Sequence, residues 1–202
     1  MRSYKQFCGV AKALDVVGER WTLLLIRDLM PGGRRYTDLL RGLPGITTNL
    51  LAKRLQHLEA HGLITRRSLP VPASSTVYEL TERGRALEPV VLALGAFGAA
   101  ALVDPADDHT SHRWLMVSLS RRFHDADPTP FSVSVRLLDT DYTLRWDGER
   151  LRARDGDQPA HARVVGPALL GVLAGRPQST EGLEITGDPQ AFARLLRGLG
   201  PA

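Results

Sequence analysis

The amino-acid pattern predicts an α+β fold in two parts: a helical half closed by a two-stranded ribbon, then a half built on a small sheet. Three observations carry this. Apolar residues recur at i, i+3, i+4, i+7 spacing through much of residues 10–58. The apolar period then shortens to two within residues 133–153. Between these regions lies the polar stretch Asp104-Pro105-Ala106-Asp107-Asp108-His109, a natural boundary. The expected domains are therefore residues 1–103 and 112–202.

In the first half, Val10, Ala13, Leu14 and Val17 mark one amphipathic helix, and Trp21, Leu24, Leu25 and Leu29 a second. Pro31-Gly32-Gly33 ends the second helix. Tyr36, Leu39, Leu40 and Leu43 give a short third helix closed by Pro44-Gly45. Thr47 suits the N-cap of a fourth helix, which carries Leu51, Leu55 and Leu58 on one face and stops at Gly62. Strand-like segments 63–68 and 76–80 follow, joined by a Pro- and Ser-rich loop at 69–75. Thr81 then caps a long helix to about residue 102, with a kink or fresh start expected at Pro89. Four helices, a ribbon and a helix, in that order, describe a winged helix.

In the second half, residues 112–123 read as a helix. Val133, Val135 and Leu137, then Tyr142, Leu144 and Trp146, then Leu151 and Ala153, alternate with polar residues. Asp-Thr-Asp and Asp-Gly-Glu turns join them, predicting an antiparallel sheet with one covered face. Residues 167–174 suggest a short helix and 183–186 a last strand. Asp188 and Pro189 stand at N-cap and N1 of a final helix.

Composition narrows the function. The 43% apolar and 24% charged fractions are those of an ordinary globular chain. No apolar run approaches the ~20 residues that span a bilayer, and the N-terminus lacks an apolar signal core, so a cytoplasmic protein without membrane partners is expected. One cysteine leaves no disulfide framework or Cys-rich zinc site. His57 and His61, at i, i+4, could face a metal, but no further ligand is evident and none is expected. Without a Walker loop, GxGxxG, HExxH or nucleophile elbow, neither an enzyme nor a cofactor is predicted. Residues 1–103 hold 14 Arg/Lys against 8 Asp/Glu, whereas 104–202 hold 12 against 14. Positive charge gathered in one half is expected where one domain meets phosphate.

The segment 46–64, ITTNLLAKRLQHLEAHGLI, concentrates the binding chemistry. Opposite its leucine stripe, Thr48, Asn49, Ala52, Lys53 and Gln56 share a polar face, with Thr47 at its start. Such a face suits a major groove, where Asn and Gln pair with adenine and Lys meets guanine or phosphate. A solvated helix face is the alternative. Context favours DNA: Arg34 and Arg35 precede the short helix that would cross the backbone, and Arg66 and Arg67 stand on the ribbon. The candidate DNA-binding residues are thus Arg34, Arg35, Thr47, Thr48, Asn49, Ala52, Lys53, Gln56, Arg66 and Arg67.

These residues bring a family into view. Tyr4, Cys8, 13–18 (ALDVVG), Trp21, 25–29 (LIRDL), 35–39 (RYTDL), 44–47 (PGIT), Leu51, 54–55 (RL), Leu58, 62–64 (GLI), 78–81 (YELT) and Gly84 together resemble the HxlR-type regulators, a branch of the MarR-like winged helices. The resemblance covers residues 4–97. It implies a homodimer on a roughly palindromic double-stranded operator, with recognition helices in successive major grooves and wings against flanking minor grooves; a repressor is the expected sense of regulation. Phe97 stands where many members carry tryptophan.

Two features leave alternatives open. The almost wholly apolar stretch 92–102, LALGAFGAAAL, either packs on a partner subunit or lies beneath the second domain. Cys8 is either a small buried hydrophobe or a redox-sensing thiol, as in some HxlR-type members, with Lys5 and Lys12 favouring the thiolate.

Residues 169–175 (LLGVLAG) and 182–188 (GLEITGD), leading to Phe192, Leu195 and Leu196, resemble the sterol-carrier-like α/β fold more weakly. That resemblance implies a sheet covered by helices around an apolar tunnel for a small lipid-like ligand; a filled core serving as spacer is the alternative. The sequence therefore reads as a regulator with a ligand-sensing second domain. The competing reading is a lipid-carrier protein whose winged helix serves assembly.

Overall fold

The computed structural model describes residues 3–70, 75–102, 110–175 and 180–199. The chain forms two compact units, Met1–Val91 and Leu92–Ala202. The boundary expected at 104–109 lies outside the described residues, as do residues 71–74 of the 69–75 loop.

The first unit runs α1 (Gly9–Val17), α2 (Thr22–Leu29), β1 (Arg34–Arg35), α3 (Tyr36–Gly42), α4 (Thr48–Ala60), β2 (Ile64–Ser68), β3 (Thr76–Leu80), α5 (Glu82–Arg85) and α6 (Glu88–Ala99), the last crossing the division. Leu25, Ile26, Leu29, Leu39, Leu51, Leu55, Leu58 and Ile64 are fully buried and form its core. Three antiparallel strands in the order β1-β3-β2 close one side. The two-residue β1 is a departure from expectation, because a strand that short leaves no period to read. Gly62, at φ +66°, supplies the left-handed turn from α4 into β2. At Gly84 a Cβ would lie 2.0 Å from the Leu63 carbonyl oxygen, so only glycine lets α5 seat against the ribbon.

The long helix expected after Thr81 is two helices. Thr81 Oγ1 accepts from Gly84 N at 3.1 Å and caps only the short α5. A fresh helix begins at Glu88, and Pro89 falls in its first turn, where a missing N–H removes no helical bond. The apolar side of α6 is not core: Val90, Leu94 and Phe97 are exposed, Phe97 at 87%. The expected inner face of α1 is likewise open. Only Val17 of its four residues is buried, while Val10, Ala13 and Leu14 are exposed; the helix packs instead through Ala11 and Val17.

The second unit orders α7 (His112–Arg122), β4 (Phe131–Leu137), β5 (Thr140–Trp146), β6 (Leu151–Asp155), β7 (Ala162–Val165), α8 (Leu169–Leu173), β8 (Glu184–Gly187) and α9 (Pro189–Gly198). The sheet order is β6-β5-β4-β7-β8. It is mixed rather than antiparallel, because β7 lies parallel to β4. Asp188 caps α9 by accepting from Gln190 N at 2.9 Å, with Pro189 at N1 as anticipated. Met116 and Leu119 of α7, Leu169 and Leu173 of α8, and Phe192 and Leu195 of α9 join Val133, Val135, Leu144 and Val164 in one core.

The opposite face of this sheet is also covered at its centre. Ser134 donates to Asp157 at 2.6 Å, Thr143 donates to the Gly156 carbonyl at 2.9 Å, and the Ser132 N–H donates to His161 Nδ1 at 3.0 Å. The 156–161 segment thus buries Ser132, Ser134 and Thr143 by hydrogen bonding, which an apolar period cannot announce.

Candidate nucleic-acid interface

The geometry of the first unit centres on α4. Thr47 caps it, its Oγ1 accepting from Leu50 N at 3.3 Å. Tyr36, at the start of α3, donates its hydroxyl to the Thr48 carbonyl at 2.7 Å and ties the two helices at that end. Leu51, Leu55 and Leu58 are buried to 1% exposure or less. This fixes the inner face, and with about 100° between successive residues it turns Thr48, Asn49, Ala52, Lys53 and Gln56 outward. All five are exposed, together with Thr47.

The predicted arginines divide into different environments. Arg35 is exposed on β1, opposite Val77. Arg34 is half-buried, donating to the Asp38 carbonyl at 3.2 Å, while its Nε is enclosed without a partner. Arg66 lies over the Tyr78 ring, 5.5 Å from its centroid, and pairs with Glu59 of α4 at 2.9 Å. Arg67 holds both carboxylate oxygens of Glu79, at 3.1 and 3.0 Å. Both wing arginine side chains are 52% exposed. Composition could not show that each faces a carboxylate across the ribbon or helix.

Two residues whose role the sequence did not reveal, Arg54 and His57, fix α4 from behind. Arg54, 7% exposed, donates to Glu19 at 2.6 Å. His57 Nε2 meets the Val16 carbonyl at 2.8 Å, so that nitrogen is the protonated donor. His61 Nδ1 meets the His57 carbonyl at 2.9 Å. These bonds commit the histidine nitrogens to carbonyl groups. Among the described residues no cluster of three or more metal-ligating side chains occurs.

Cys8 precedes α1 at its N-cap and is exposed, which overturns the buried-hydrophobe alternative. The backbone N–H groups of Ala11, then Val10, draw its pKa below the usual thiol range. The expected lysines are not the cause; the helix start is.

A capped helix with an exposed polar face, a short helix crossing its start and a basic ribbon beside it define a winged helix-turn-helix DNA-binding unit. Residues 16–105 match the model of the HxlR-like helix-turn-helix family. The HTH-type transcriptional regulator sll1512 of Synechocystis is 38% identical over 92 residues, covering 46% of this chain and 68% of that protein. YodB of Bacillus subtilis, another HTH-type transcriptional regulator, is 35% identical over 95 residues, covering 47% and 84%. The solved reduced form of YodB is 32% identical with a TM-score of 0.42, covering 50% of this chain and all of that one. The redox regulator HypR in its reduced form is 34% identical with a TM-score of 0.43, covering 46% and 92%. The chain belongs to the HxlR-like helix-turn-helix family and is a DNA-binding transcriptional regulator in its first half. No described helix is long and apolar enough to cross a membrane.

Proposed function

We propose that the chain is a sequence-specific repressor that binds a palindromic double-stranded operator as a homodimer. The observation that carries this is the wholly exposed polar face of α4 over a wholly buried leucine stripe. Asn49, Lys53 and Gln56 read base edges in the major groove, with Thr48 and Ala52 in contact range. Thr47, Arg34 and Arg35 sit at the phosphate approach, and Arg66 and Arg67 meet the flanking backbone. Homodimerisation is supported by apolar surface that the single chain leaves open: Val90, Leu94 and Phe97 on α6, and Tyr4, Phe7, Val10 and Leu14 along the N-terminal segment and α1.

Gel-shift titration on DNA upstream of its own and neighbouring genes tests this reading. Loss of specific binding in the Asn49→Ala, Lys53→Ala double variant supports it. A protein that selects no operator overturns it and favours the lipid-carrier reading, in which the winged helix serves assembly. Repression is read by reporter expression with the gene present and deleted.

The sterol-carrier-like assignment of the second unit is supported by helices α7, α8 and α9 layered on one sheet face. A small apolar ligand held in that layer would control DNA affinity through unequal binding to two states of the dimer. Operator affinity measured with and without a fatty-acid series tests this. Exposure of Cys8 favours a second regulatory reading, thiol-based redox sensing; an operator affinity unchanged by oxidant, or changed equally in Cys8→Ser, refutes it.

A further inference from the structure

We infer that Glu19 and His57 are positioning residues that set the rotation of the recognition helix α4, and hence its base specificity, without touching DNA themselves; this rests on the DNA-reading assignment above. Around the axis of α4, at about 100° per residue, the outer face Asn49-Ala52-Lys53-Gln56 and the buried stripe Leu51-Leu55-Leu58 stand opposite each other. Arg54 and His57 occupy the flank between them. Both are tied to one place, the end of α1 and the turn after it: Arg54 to Glu19 at 2.6 Å, His57 to the Val16 carbonyl at 2.8 Å.

The chemistry of this flank suits a positioning role. Val16 lies in the last turn of α1, where carbonyls have no helical N–H partner, so His57 satisfies a group that the helix leaves open. Arg54 is nearly buried, and the partly exposed carboxylate of Glu19 compensates its charge. The other flank has its own tether, Glu59 to Arg66 of the wing at 2.9 Å. Leucine packing alone tolerates small rotations, since apolar contacts are non-directional. Hydrogen bonds on both flanks do not, because they weaken steeply with angle. Glu19, Arg54 and His57 also line an open groove of about 510 Å³ whose rim includes Lys53 and Gln56, so the anchors and the readers lie side by side.

The test separates positioning from charge. Glu19→Ala removes a carboxylate; were Glu19 merely an electrostatic neighbour of the phosphates, every DNA sequence would be bound more tightly. A positioning role gives the opposite sign for the operator. Full-length Glu19→Ala and His57→Ala proteins are expected to lose about tenfold or more in the ratio of operator to random-sequence affinity, the scale of one misaligned base contact. Random-sequence affinity should not fall, and the salt slope should hold, since no phosphate-facing cation has been removed. Glu19→Gln and His57→Gln, which keep an acceptor for Arg54 and a donor for Val16, should restore most of the ratio. Circular dichroism melts check that each variant is folded at the assay temperature. If an alanine variant does not fold, the glutamine variant is compared with Glu19→Ser or His57→Asn, whose side chains are too short to span the gap. An unchanged ratio in folded variants that lack the bond overturns the inference. A wild-type protein that selects no operator overturns the DNA-reading assignment instead.

Discussion

The wing supplies a prediction whose sign is not obvious from charge counting. Arg67 is expected to meet phosphate, yet in the free chain Glu79 holds it through both carboxylate oxygens at 3.0–3.1 Å. With side chains 52% and 28% exposed, the pair is well screened, and an exposed pair of this kind contributes at most about 1 kcal/mol. That is small enough for a phosphate to displace the carboxylate. Glu79→Gln should therefore leave the fold intact and strengthen DNA binding by up to about fivefold, the displaced pair energy converted to affinity. Arg67→Ala should weaken binding to operator and random DNA alike, lowering the slope of log K against log salt by about 0.9. Fluorescence anisotropy across a salt series, on operator and scrambled duplexes, measures both. If Arg67→Ala leaves the slope unchanged and Glu79→Gln does not tighten binding, Arg67 belongs to the ribbon rather than to the interface.

Four further outcomes follow from the packing. Thr47→Ala removes the cap of α4 and should cost about 1 kcal/mol, lowering the melting temperature of the first unit by about 5 °C in calorimetry. Leu94→Glu with Phe97→Glu places charge on the open face of α6 and should yield a monomer by sedimentation, with operator binding lost. Leu144→Ala, at a fully buried site of the second sheet, should cost about 2–5 kcal/mol and lower the urea midpoint of that unit. The guanidinium of Arg136, with Arg163 beside it, holds the Asp141 carboxyl below the usual carboxylate range. A depressed folded-state pKa stabilises above the unfolded value of about 3.9 and is lost as pH falls through the lower folded one. Stability of the second unit should thus decline below about pH 4, and less steeply in Asp141→Asn.

Sequence periodicity revealed most of these elements, because the first unit buries regular stripes and the second alternates cleanly along β4 to β6. Thr47 and Asp188 were legible as caps since their chemistry is local. What stayed hidden was non-local. The strand β7 carries Ala-Arg-Val-Val, too short and mixed to show a period, and its parallel place beside β4 depends on chain crossover. The polar cover of Ser132, Ser134 and Thr143 comes from a loop 13 to 29 residues away. In the candidate DNA interface, the outer face of α4 was visible at helical spacing. Its anchors were not, since Glu19 and Arg54 are 35 residues apart and each reads as an ordinary surface charge.

The same distinction limits what net charge says about DNA affinity. The first 103 residues carry six more basic than acidic groups. Yet Arg27 is paired with Asp28, Arg54 with Glu19, Arg66 with Glu59, Arg67 with Glu79, and Arg85 with Glu88. Of these, Arg54 is nearly buried and Arg27 only 19% exposed, so neither can leave its partner for phosphate without stranding a charge. Only the wing pairs are both exposed and near the reading face. On and beside the outer face of α4, Lys53 and Arg35 are exposed, while Arg66 and Arg67 are held by carboxylates. In the proposed complex the wing arginines reach phosphate by displacing Glu59 and Glu79, so each adds less to affinity than a free cation would, on operator and random DNA alike.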